Sequence, residues 1–142
     1  MIVLDTNVVS EPIKPEPDQA VLDWLDDQAP ESLYLTSITV AELLAGLAVM
    51  PAGKRRDKLR KMLTEQVLPL FEGRILSFDA EAAEAFGGVH ARAQKAGNPI
   101  SFADAAIAST ASVHGFMLAT RNVRDFKGTG VELLNPWSAS AG

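Results

Sequence analysis

The stretch Ile2-Val3-Leu4-Asp5-Thr6-Asn7-Val8-Val9 decides the fold. Its first three residues are apolar without alternation, which fits a short strand buried on both faces, as in a parallel sheet. The run stops abruptly at Asp5-Thr6-Asn7. In open α/β sheets, ligands gather beyond the carboxyl ends of the strands. An acid at this place therefore stands where chemistry is done. Asp5 also has an ordinary use, as the cap of the helix that Val8 and Val9 begin. Whether other acids join it decides between the two uses.

Downstream, strands and helices alternate. Pro12, Pro15 and Pro17 mark a loop. Asp18 caps a helix predicted through about Gln28. Leu33-Tyr34-Leu35 is a second strand, stopped by Thr36 and Ser37, whose hydroxyls can cap the next helix. Helices are expected over residues 38–50 and 54–71, joined at Pro51-Ala52-Gly53 as a hairpin. Residues 74–78 read as a third strand. Asp79 caps a helix over 80–96, in which Gly87-Gly88 signal close packing against a neighbour. Ser101 caps a helix over 102–114 that Gly115 ends. Residues 116–119 and 131–134 supply two more strands. The alternation predicts a three-layer α/β/α sandwich around a central, mainly parallel five-stranded sheet.

At 142 residues the chain fits one domain, with residues 138–142 as a flexible tail. It has no cysteine, which removes disulfides and thiolate metal sites. Met1 leads straight into the first strand, no apolar run is long enough for a membrane span, and a cytoplasmic location is expected. The net charge of −5 argues against a general nucleic-acid coat protein. It leaves room for an enzyme with a local basic patch and an acidic, metal-filled centre.

Other acids do stand at equivalent places. Glu42 opens the helix after the second strand. As the end of a capping box from Thr39 it would be unremarked. However, Thr36 or Ser37 makes the better cap, and Ala41, Leu43, Leu44 and Ala45 are apolar company for a solvated acid. Asp104 follows the Ser101 cap, where the helix dipole favours negative charge. It is also followed by Ala-Ala-Ile-Ala, a wall without another polar group. Asn122 and Asp125 follow the fourth strand, where either residue type also serves turns. Carboxylates brought together repel unless a cation lies among them. Oxygen donors without cysteine favour Mg²⁺ or Mn²⁺, and a hard dication suits phosphoryl chemistry.

Four segments together resemble a known family. Val-Leu-Asp-Thr-Asn-Val-Val-Ser-Glu at 3–11 is similar to the opening of the PIN domain, and Ser-Ile-Thr-Val-Ala-Glu-Leu at 37–43 to its second motif. Ile-Ser-Phe-Ala-Asp-Ala-Ala-Ile-Ala at 100–108 resembles the third. Leu-Ala-Thr-Arg-Asn-Val-Arg-Asp-Phe at 118–126, with Leu-Asn-Pro-Trp at 134–137, resembles the ending of VapC-type toxins of the FitB-like branch. The resemblance spans nearly the whole chain. It implies a PIN fold and a Mg²⁺- or Mn²⁺-dependent endoribonuclease, the toxin of a type II toxin–antitoxin pair with a cognate antitoxin. Carried over by position, Asp5, Glu42 and Asp104 would be the acidic metal and catalytic residues. The family's fourth acid often follows the strand-four Thr, where this chain has Asn122. Either Asn122 is a weaker ligand, Asp125 substitutes, or a second metal position is compromised.

On this reading Thr6, Asn7 and Thr120 orient ligands or phosphate. Arg121 and Arg124 are the favoured RNA contacts. The basic run from Lys54 to Lys61 reads instead as the solvated face of a helix. The apolar stripes of the 38–50 and 54–71 helices suggest a homodimer. Two alternatives compete. A haloacid-dehalogenase-like phosphatase would need an Asp where Asn7 stands. A catalytically inactive module could bind an antitoxin or nucleic acid alone.

Overall fold

The computed structural model describes residues 1–139. The chain runs β1 (Ile2–Leu4), α1 (Thr6–Ser10), α2 (Gln19–Asp26), β2 (Leu33–Thr36), α3 (Ser37–Ala48), α4 (Lys54–Met62), β3 (Ile75–Leu76), α5 (Ala80–Lys95), α6 (Phe102–His114), β4 (Met117–Ala119), β5 (Leu133–Leu134) and α7 (Pro136–Ala139). The five strands form one sheet in the order β3-β2-β1-β4-β5, and every pairing is parallel. The sandwich is thus as the alternation predicts, with the sheet wholly rather than mainly parallel. Residues 140–142 of the expected tail lie outside the described residues. Ser138 and Ala139 close α7.

β1 occupies the middle of the sheet because its apolar run can be buried on both sides. Val3 faces one core with Val89, Ile107, Ala108, Leu118 and Phe126. Leu4 faces the other, with Val8, Trp24, Leu33, Leu35 and Ala119. Val3 and Leu4 are 0% and 1% exposed. Burying each side chain contributes roughly 1.5–3 kcal/mol before entropy. From β1 the chain winds outward to β2 and β3, then returns to place β4 on the other flank. The switch of direction lies between β1 and β4. In such sheets that is where a crevice opens at the carboxyl edge.

Caps fix where the helices begin. Thr36 Oγ1 accepts from Thr39 N at 3.1 Å and so starts α3. Asp79 Oδ1 accepts from Ala82 N at 2.9 Å, and Ser101 Oγ from Asp104 N at 3.2 Å. α6 ends at Gly115, whose φ of 70° is the left-handed stop expected of a glycine. Ala105 through Ala111 are all buried, so α6 is covered on several sides, by the sheet and above all by α5. Alanines allow that close approach.

Two segments depart from expectation. The single helix predicted over 54–71 is α4 followed by a wide turn at Leu63–Val67 and a tight turn at Leu68–Phe71. Pro69 sits in the last piece and cannot donate to a regular α-helical ladder. The apolar stripe continues through all three pieces, which is why periodicity alone reads them as one. Gly87 and Gly88 are exposed, and a Cβ on either would meet no other atom within 4 Å. They do not mark close packing within the described chain.

Candidate active site

The β1–β4 crevice is closed by direct contact between the strand ends. Asp5 N donates to Ala119 O at 2.9 Å, extending the ladder one residue past β1. Asp5 is 5% exposed, and its two oxygens are used differently. Oδ1 accepts from Thr6 N at 2.8 Å, which is the capping role. Oδ2 accepts from Thr120 Oγ1 at 2.7 Å and from Asn7 Nδ2 at 3.5 Å. Thr120 Oγ1 in turn accepts from Asn122 N at 3.0 Å. The cap and the crevice are therefore served by one carboxylate.

Glu42 approaches from α3. Its Oε1 accepts from Thr6 Oγ1 at 2.7 Å, tying α3 to α1. It is not the end of a capping box, because Thr36 caps the helix. Its apolar company is misleading too: Ala41, Leu44 and Ala45 are exposed along with it. Asp104 stands at the third position of α6, half-buried.

The electrostatics join these residues. Burial pushes the Asp104 carboxyl up to about 6, helped by the charges of Asp5, Glu42 and Asp125. Burial also raises Asp5 against the lowering effect of its hydrogen bonds to Thr120 and Thr6, and Glu42 and Asp125 add to the rise. Four acids from four places in the sequence thus share one field. The ion pair found among the described residues, Lys14 with Glu11, neutralises none of the four. No three acids among the described residues stand close enough to ligate one ion as they are. Sharing a cation requires side-chain rotation, for which exposed Glu42 and half-buried Asp104 have room. The donor set is all oxygen, which fits a hard dication.

The residues after β4 divide. Asn122 is exposed; its backbone N–H holds Thr120, and its backbone carbonyl accepts from Asp125 N at 2.9 Å. Asp125 is the residue of this loop whose charge reaches Asp5 and Asp104. Arg121 N donates to Asn7 Oδ1 at 3.3 Å, while its guanidinium lies 5.0 Å from the centroid of the Trp137 ring. That stacking, which the sequence did not signal, sets the Arg121 head group against an aromatic face. Arg124 is exposed, and its carbonyl accepts from Asn98 Nδ2 at 2.8 Å.

A PIN domain model matches residues 2–131, more than nine-tenths of the chain. The chain belongs to the PIN-domain family. This PIN domain is 53% identical over 137 residues to VapC ribonuclease Y4jK of Sinorhizobium fredii, covering 96% of this chain and 98% of the relative. It is 44% identical over 137 residues to toxin FitB of Neisseria gonorrhoeae, covering 96% of this chain and 99% of that protein. Among solved structures, FitAcB from Neisseria gonorrhoeae superposes with a TM-score of 0.91 at 44% identity, covering 96% of this PIN domain and 99% of that chain. The phosphatase alternative falls with this assignment.

Proposed function

We propose that this PIN domain is a divalent-metal-dependent endoribonuclease and the toxin of a toxin–antitoxin pair. One observation carries the chemistry: Asp5 and Asp104, with Glu42 and Asp125 acting on both, form an acidic cluster that no ion pair among the described residues balances. Like charges so gathered call for a cation. The relatives named VapC ribonuclease and toxin FitB support the substrate and the biological role. A cognate antitoxin is the expected protein partner.

Asp5, Glu42 and Asp104 would hold Mg²⁺ or Mn²⁺. Such an ion, when bound, activates water and stabilises charge on the phosphate. Thr120 Oγ1 fixes the orientation of Asp5, and Thr6 Oγ1 holds Glu42 beside the site in the metal-free fold. Asp104, whose carboxyl burial pushes up to about 6, is suited to take the proton from the attacking water. Asp125, rather than Asn122, supplies the fourth negative charge. The test is cleavage of total tRNA and of random-sequence RNA by protein stripped with EDTA. Cleavage restored by Mg²⁺ or Mn²⁺ in wild type, and absent from Glu42→Gln, is expected. Cleavage that persists in EDTA contradicts the metal requirement.

A further inference from the structure

The carboxylate cluster opens into a groove. Thr6 and Glu42 form one end of a cavity of ≈ 180 Å³ between α1, α3 and the α4 region. Ser10, Ile13 and Leu59 line that cavity and also line a larger cleft of ≈ 560 Å³. The two therefore adjoin. The far cleft carries Arg55 and Lys58 from α4 and Lys14 from the loop after α1. Its floor is apolar, from Ile13, Leu59 and Met62.

α4 concentrates positive charge in an acidic protein. It holds Lys54, Arg55, Arg56, Lys58, Arg60 and Lys61 against Asp57 alone, while the whole chain is −5. These cations have different employment. Arg56 Nη1 donates to Met50 O at 3.4 Å and secures the turn before the helix. Lys14 is paired with Glu11 at 2.9 Å. Arg55 and Lys58, one turn apart, are exposed and make no ion pair among the described residues. Arg60 and Lys61 do not line the cleft.

We infer that this groove carries the RNA strand away from the cleavage site, with Arg55 and Lys58 holding phosphates beyond the scissile one. The inference rests on the ribonuclease reading above. A strand that presents one phosphate to an acidic centre must run on past it. Away from a metal, that centre and the net negative surface repel RNA. The groove starts at Glu42 and reaches unpaired cations over an apolar floor, which fits a sugar–phosphate chain with bases set down on aliphatic carbon. An acidic segment of a protein partner is the competing occupant. Adjacency to the cavity that Glu42 and Thr6 line favours the strand whose phosphate reacts there.

The experiment compares Arg55→Gln/Lys58→Gln with Arg60→Gln/Lys61→Gln, which removes the same charge from the same helix outside the cleft. Two RNA readouts are taken, beside retention of the co-expressed antitoxin by each variant. Steady-state cleavage of tRNA in Mg²⁺ gives KM and kcat. Anisotropy of a labelled random-sequence single-stranded RNA, with each pair placed on an Asp104→Asn background, gives Kd against KCl concentration. The cleft pair should raise KM roughly tenfold or more at near-normal kcat, as loss of two phosphate contacts does. Its slope of log Kd against log salt should flatten by about 1.4, at about 0.7 per phosphate on a single strand. The control pair should change neither by more than about twofold. Wild type that cuts RNA with the two pairs indistinguishable overturns the groove while leaving the ribonuclease reading intact. Normal RNA parameters in the cleft pair with weaker retention of co-expressed antitoxin gives the groove to a protein partner, and also overturns it. Wild type that cuts no RNA removes both.

Discussion

The fold disfavours the charged form of Asp104 relative to the unfolded chain. Its folded pKa of about 6 lies above the ordinary 3.8. The destabilisation is absent below about 3.8, grows as pH rises, and is complete above about 6. Asp104→Asn should therefore melt no lower than wild type in EDTA at pH 7, and the difference between them should shrink as pH falls to 4. Excess Mg²⁺ should raise the wild-type midpoint and leave the variant nearly unmoved. If the residue served only the helix dipole, the variant would lose up to roughly 1 kcal/mol and keep its response to Mg²⁺. Thr120 poses the complementary case. It is fully buried and donates to Asp5 Oδ2. Thr120→Val should cost about 1–3 kcal/mol in urea denaturation by leaving that oxygen only the long contact to Asn7. It should also slow cleavage, and Thr120→Ser should recover most of both.

Among the elements, legibility followed how local the deciding physics is. β1 announced itself because a doubly buried strand is apolar at every position. α6 was bounded correctly at Phe102 and His114 because Ser101 and Gly115 are local signals. The segment over 54–71 was not, since a stripe of apolar residues survives changes of helical pitch. In the site, Asp5 and Asp104 were visible as acids at strand ends or helix starts. Glu42 was suspected for a poor reason, its apolar neighbours, which prove to be surface. Arg121 lies over Trp137, sixteen residues on, a contact that no local pattern signals. The Arg55–Lys58 groove depends on α1 and α4 meeting in space. Gly128 gives an element-scale test. Its φ is +87°, and an added Cβ would fall 2.7 Å from the Ala96 Cβ at the end of α5. Gly128→Ala, often stabilising elsewhere, should here cost about 1–2 kcal/mol or more. Chemical denaturation measures it. A neutral result would show that the loop shifts freely against α5.

At the scale of the whole molecule, α3 shows an apolar outer face. Leu44 is 40% exposed and Val49, just past the helix, 83%, with exposed Ala41, Ala45 and Ala48 on the same helix. A homodimer would cover this face. The isolated chain should sediment as a dimer at micromolar concentration, and Leu44→Asp should shift it toward monomer. Wild type sedimenting only as monomer contradicts this. The central claim, that Asp5, Glu42 and Asp104 together hold a divalent cation, is tested most directly by calorimetric titration of Mn²⁺ into metal-free wild type and Asp5→Asn at pH 6. At that pH Asp104 is partly protonated and must release its proton to bind the ion. The predicted result is saturable binding to wild type, with a heat that varies with the ionisation enthalpy of the buffer, and no saturable binding to Asp5→Asn. Equal binding by both proteins, or none by wild type, contradicts it.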